Sequence, residues 1–182
     1  MVTIEDQNTL EEQNLALNLN ATDVDGDTDI SYFASSSSDL FSLSITDDLL
    51  TISPLENKTG TGTINIYSSD GEDNSDTISF DLLIENVNDA PTLSDIINPD
   101  TVNEDEENLS ITIIPLDNDS EDILSVSVLS SNELLFSASD ISIDNVSDIN
   151  NIERNIVLNP IDNSNGESLI TVSVSDGIEV VS

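Results

Sequence analysis

Asn86-Val87-Asn88-Asp89-Ala90-Pro91 lie near the middle of this 182-residue chain, and three of the first four carry a hard side-chain oxygen. Two further segments place acidic groups on alternate residues. One is Asp23-Val24-Asp25-Gly26-Asp27, continued by Asp29; the other is Asp117-Asn118-Asp119-Ser120-Glu121. Carboxylates and amides at such spacing are ligands for hard cations. Calcium takes six to eight oxygens at ~2.3–2.6 Å, more than one loop usually supplies. An EF-hand is excluded: counted from Asp23, the position that motif gives to Gly is Thr28 and the one it gives to Glu is Ala34. A second and third segment must contribute, and the central hinge and an early Glu are the candidates.

The composition narrows the alternatives. The chain has 38 acidic residues against two basic ones, Lys58 and Arg154, for a formal net charge of −36, and it lacks His, Cys and Trp. No Ser–His or Cys–His nucleophile pair can form, and no conventional zinc site. Nucleic acid and anionic membrane surfaces would be repelled. No apolar run approaches the ~20 residues of a membrane span, so direct membrane insertion is not expected. No secretory signal follows Met1, and the chain reads as an excerpt of something longer. Such acidity fits disorder, adaptation to high salt, or cation binding. Disorder is disfavoured by 36% hydrophobic residues in clear period-2 alternation.

That alternation identifies the elements that must hold the oxygens. Leu15, Leu17 and Leu19 alternate with Ala16 and Asn18, and Ile64 and Ile66 flank Asn65. Ile78, Phe80, Leu82 and Ile84 alternate with Ser79, Asp81 and Leu83. Later come Leu109, Ile111 and Ile113, then Val126 and Val128, then Ile170, Val172 and Val174, each with Ser or Thr between. Such segments are half-buried strands. Asp-Gly and Asn/Ser clusters at short intervals separate them, which is the pattern of β-sandwiches. Pro91 stops the strand before it, having no N–H and a fixed φ.

The two halves repeat. Glu5-Asp6 recurs as Glu104-Asp105, the Asp23 loop as the Asp117 loop, and Gly60 with Asp70-Gly71 as Gly166 with Asp176-Gly177. The expected organisation is two all-β sandwich domains, residues 1–90 and 91–182. Only five residues follow Gly177, so the second domain is expected to lack its last strand, with the chain continuing beyond Ser182.

Several of these segments resemble cadherin repeats. Leu19-Asn20-Ala21-Thr22-Asp23-Val24-Asp25-Gly26-Asp27 with Ile30-Ser31-Tyr32 is similar to their Ala-Thr-Asp-x-Asp loop and Ile-x-Tyr strand. Ser69-Asp70-Gly71 resembles their late Asp-x-Gly turn, and Asn86 to Pro91 their Asp-x-Asn-Asp-Asn-x-Pro linker, one residue shorter and with Asn for the first Asp. The whole chain looks like the cadherin-like, immunoglobulin-like Greek-key repeats of large secreted bacterial surface proteins (adhesins) with an Asn-Asp-Ala-Pro linker. The resemblance implies Ca2+ at the domain junction, held by Glu5, Asn86, Asn88 and Asp89 with Asp117, Asp119 and Asp176. Asp23, Asp25 and Asp70 would face a preceding domain and Glu104 a following junction. The shortened linker suits one or two ions rather than three.

The implied role is a non-catalytic extender or adhesion segment, extracellular on a bacterial cell surface, in attachment, biofilm cohesion or cell–cell contact. Its partners would be neighbouring repeats of the same long chain, and a cell-surface glycan or protein. The alternative is an accessory, carbohydrate-binding module of a secreted polysaccharide-active enzyme. Against calcium stands the commonness of Asp in Asp-Gly turns for backbone reasons alone. Against catalysis stands the scarcity of aromatic residues, two Tyr and four Phe, from which to build a sugar pocket.

Overall fold

The computed structural model describes residues 2–24, 29–98, 101, 108–119, 123–143 and 152–182. Asp25 and Glu104 lie outside them. The chain divides into two compact units, Met1–Val87 and Asn88–Ser182.

In the first unit seven strands form two sheets. They are β1 (Gln7–Leu10), β2 (Leu15–Asn18), β3 (Ser31–Ser35), β4 (Phe41–Thr46), β5 (Leu49–Pro54), β6 (Gly60–Ser69) and β7 (Ile78–Glu85). One sheet has the order β1-β7-β6-β3 and the other β2-β5-β4. The pairings are antiparallel except β1 on β7, which is parallel, with Leu10 opposite Glu85. The period-2 pattern determines which residues fill the space between the sheets. Phe80, Leu82 and Ile84 of β7 are buried, while Ser79, Asp81, Leu83 and Glu85 face outward. Leu50, Ile52, Ile64, Ile66 and Phe41 complete that core. Gly62 is set by close packing: a Cβ there would lie 2.6 Å from Phe41 Cε1 and 2.8 Å from Ser38 Oγ. Leu19, expected on the β2 face, falls just beyond that strand but is still buried, its N–H on the Asp48 carbonyl.

The second unit holds β8 (Thr92–Leu93), β9 (Leu109–Ile113), β10 (Pro115–Leu116), β11 (Ser125–Ser130), β12 (Ile141–Ile143), β13 (Arg154–Leu158), β14 (Ile170–Ser175) and β15 (Val180–Val181), with one 3-10 turn at Ala138–Asp140. Its described sheets are β10-β8, β12-β13-β9 and β11-β14-β15. Ile111, Ile113, Leu135, Phe136, Ile156, Leu158 and Val172 form the core. Arg154 is 2% exposed and donates from Nη2 to the Leu124 carbonyl at 3.0 Å. One of the chain's two cations is therefore an internal brace rather than surface charge.

Among the described strands only Asp81 and Glu85 are acidic. The outward strand positions are mostly Ser, Thr and Asn, so the negative charge is concentrated in the connecting loops. Repulsion is accordingly strongest where loops gather at the ends of each sandwich.

Candidate metal centre

The register of short strands brings the expected oxygens of the second unit together. Pro91 is fully buried. It anchors the start of β8, and β8 runs antiparallel to β10 with Thr92 opposite Leu116. The residues before Thr92 and after Leu116 must therefore lie side by side. The Asp89 N–H donates to Asp119 Oδ2 at 2.8 Å, and the Asp119 N–H to Asp117 Oδ1 at 2.9 Å. Asp119 is only 8% exposed, and Asp117 Oδ2 is buried. Ser125 pairs with Ser175, which puts Asp176, just past β14, at the same end of this unit. Asn88 Nδ2 donates to Asp176 Oδ2 at 3.1 Å. Asn88, Asp89, Asp117, Asp119 and Asp176 thus form two hydrogen-bonded groups at one end of the second unit.

Asp176 is held by its own turn. Its Oδ1 accepts the N–H groups of Ile178 and Glu179, both at 2.6 Å, while Gly177 takes φ 98° and donates to Ser175 Oγ. The first unit repeats this turn. Asp70 Oδ1 accepts the N–H groups of Glu72 and Asp73, both at 2.8 Å, with Gly71 at φ 97° donating to Ser69 Oγ. The backbone N–H of Asp73, with that of Glu72, holds the Asp70 carboxyl below its ordinary range. The N–H of Glu179 leads in doing the same for Asp176. Both residues keep part of their surface in water, so the effect fixes ionisation rather than adding much stability.

The loop in front is equivalent as well. Ser31 pairs with Ser69 as Ser125 pairs with Ser175, and Asp23 precedes Ser31 by the same eight residues that separate Asp117 from Ser125. Tyr32 supports that loop, its hydroxyl oxygen accepting the Ala21 N–H at 3.0 Å. Asp23, Asp70 and Asp73 line a shallow cleft of ≈ 160 Å³ in the first unit. Asp25, which shares with Asp119 its place in the loop, lies outside the described residues.

The early Glu is where the structure adds most. Glu5 is exposed, and its backbone carbonyl accepts Gln7 Nε2. Glu11 is the residue on the hinge. Parallel pairing sets Leu10 against Glu85, and the Glu11 N–H continues the ladder onto the Glu85 carbonyl. Its side chain, 3% exposed, then accepts the Val87 N–H on Oε1 at 2.9 Å. The other oxygen, Oε2, is buried without a hydrogen-bond partner among the described residues. Leaving such an atom unsatisfied costs about 1–3 kcal/mol. The available signal was the pair Glu11-Glu12 shortly before Leu15, which recurs as Glu106-Glu107 shortly before Leu109. Asn86 is exposed.

Among the described residues no three acidic side chains converge into a ready-made ion cage. In kind, however, the donors fit a hard divalent cation. All are carboxylate or amide oxygens, and the Glu11 Oε2 atom has a buried electron pair with no proton facing it. Backbone N–H groups fix Asp70 through Oδ1, from Glu72 and Asp73, and Asp119 through Oδ2, from Asp89, which orients the other oxygen of each carboxylate.

The sequence matches no family model and no curated protein sequence. The fold does have solved counterparts. The chain is similar to Protocadherin Gamma B2 extracellular cadherin domains 3–6, with TM-score 0.59 at 18% identity over 94% of this chain and 42% of that one. Domains 1–5 of the same protein give 0.58 at 17% over 98% and 35%. Protocadherin Gamma B7 domains 1–4 give 0.57 at 15% over 96% and 44%. The chain spans roughly two fifths of the length of these structures. The architecture is therefore that of tandem cadherin-like β-sandwich domains. Among the described residues no helix is long and apolar enough to cross a membrane.

Proposed function

We propose that this chain is a non-catalytic, calcium-stiffened extender of a large exported bacterial surface protein, serving attachment or cohesion. The observation that carries the reading is the hinge. Its two ends are each held by carboxylates: Val87 by Glu11 in the first unit, and Asn88 and Asp89 by Asp176 and Asp119 in the second. Glu11 joins Glu5, Asn86, Asn88, Asp89, Asp117, Asp119 and Asp176 as a proposed donor. Bound calcium would supply the positive charge that offsets the mutual repulsion of these carboxylates. Asp23 and Asp70 occupy in the first unit the places of Asp117 and Asp176 in the second, and with Asp25, by its sequence position, they make the matching half-site for a preceding repeat. The domain boundary then falls at the hinge itself, near the proposed division after Ala90.

Burial of Glu11 and Asp119 against hinge N–H groups leaves the hinge backbone little freedom once their charge is balanced. Two flexibly joined sandwiches then become one stiff segment, and a long series of them a stalk. Small-angle scattering tests this. Millimolar calcium should lengthen and narrow the distribution of interatomic distances of the chelator-treated chain. An unchanged distribution at saturating calcium would reject the stiffening.

The carbohydrate-binding reading has one observation in its favour. Phe33 and Tyr67 stack on the outer face of the β1-β7-β6-β3 sheet, with centroids 4.8 Å apart, and Phe33 is 44% exposed. Tyr67 covers one face of the Phe33 ring, so a single aromatic face is left, less than the platforms sugar sites use.

A further inference from the structure

We infer that the outer face of the β1-β7-β6-β3 sheet is a docking surface for an extended segment of another protein that carries two arginines four residues apart. Of the six aromatic residues, Phe41, Phe80 and Phe136 are buried and Tyr32 packs against the first core. Phe33 and Tyr67 stand outside, paired across β3 and β6 with their rings stacked. The fold does not require them there. Ser127 and Ser173 hold the same register position in the second unit, paired across β11 and β14. An aromatic pair kept at the surface where the repeat uses serine points to a contact rather than to packing. Tyr67 covers one face of Phe33. The single face left open suits one guanidinium, which is planar and stacks on an aromatic ring.

The same face carries an unbalanced pair of carboxylates. The parallel register that sets Gln7 against Leu82 brings Asp6 alongside Asp81, and both are exposed. Like charges side by side on neighbouring strands destabilise a sheet. These two are nonetheless held in place. Asp6 Oδ1 accepts the Asp81 N–H at 2.9 Å, and Asp81 Oδ1 accepts the Thr63 hydroxyl at 2.7 Å. The second oxygen of each accepts no hydrogen bond from the described residues. Neither basic side chain of the protein neutralises the pair: Lys58 lies 3.9 Å from Asp39, and Arg154 is buried in the second unit. A cation brought by a partner therefore relieves a repulsion as well as making a contact.

The register sets the spacing of the occupant. Asp81 lies opposite Thr63, four residues before Tyr67 on β6. At 3.2–3.4 Å per strand residue, the carboxylate pair and the aromatic pair are about 13 Å apart along the strand. An extended segment covers that distance in four residues and puts both of those side chains on one side. Arginine fits both ends, stacking on Phe33 at one and donating to the Asp6 and Asp81 oxygens at the other. With a net charge of −36 on the chain, a basic segment is also the kind drawn to it from a distance.

The test titrates two Gly/Ser peptides of equal length and composition into the whole isotope-labelled chain, in millimolar calcium and physiological salt, and follows amide chemical shifts. One peptide has two arginines four residues apart, the other has them adjacent. The spaced peptide should shift the amides around Phe33, Tyr67 and Asp81 and bind about threefold or more tighter than the adjacent one. Phe33→Ser, which copies the second unit and so should leave the fold intact, should weaken the spaced peptide by about three- to tenfold. Asp81→Asn should do so by a similar factor. Equal binding of both peptides, or full binding to Phe33→Ser, would mean diffuse attraction to the acidic loops and overturn the proposal. So would a neutral oligosaccharide that shifts the same amides when neither peptide does, or a dimer in sedimentation that Phe33→Ser dissociates, since the face would then have another occupant.

Discussion

Millimolar calcium added to the chelator-treated chain is expected to raise the melting temperature of the second unit by about 6–11 °C. Extracellular modules bind calcium with Kd of ~10⁻⁴–10⁻³ M, and tenfold excess over Kd stabilises the bound state by about 1.4 kcal/mol per site. In a domain of this size each kcal/mol moves the midpoint by ~4–8 °C. The shift should vanish in a chain carrying Asp89→Ala and Asp119→Ala. Asp119 is the more informative of the two, because it is buried and orients its carboxylate against the hinge. A shift that survives both substitutions would put the ligands elsewhere.

Glu11 gives the second large effect, and two substitutions separate its roles. Glu11→Ala removes the acceptor of the Val87 N–H. A hydrogen bond to a charged group is worth about 1.5–3 kcal/mol, so the first unit should melt roughly 10 °C lower without calcium. Glu11→Gln keeps a carbonyl oxygen for Val87 and should melt within a few degrees of the parent without calcium. It lacks the charge, however, and should lose most of the calcium response. Thermal melts of both variants, with and without calcium, distinguish a ligand from a pin. A full calcium response in Glu11→Gln would make Glu11 a structural pin only.

Much of this was legible in the sequence because its signals are local. Ile78, Phe80, Leu82 and Ile84 announce a strand and its buried face through period 2 alone. The Asp70-Gly71 and Asp176-Gly177 turns announce themselves because a positive φ needs Gly and an Asp side chain caps the N–H groups that follow. Asn88, Asp89, Asp119 and Asp176 could be grouped because the loops repeat in order. Glu11 was hidden because a long-range fact puts it on the hinge: β1 lies parallel to β7, so the residue after one strand meets the residue after the other. Parallel pairing leaves no mark in either strand's own alternation.

Isothermal titration of calcium into the chelator-treated chain tests the central claim most directly. A saturable heat with Kd of ~10⁻⁴–10⁻³ M, lost in the Asp89→Ala, Asp119→Ala chain, is the predicted result. A folded chain that takes up millimolar calcium with no heat beyond dilution, and no change in melting, would contradict it.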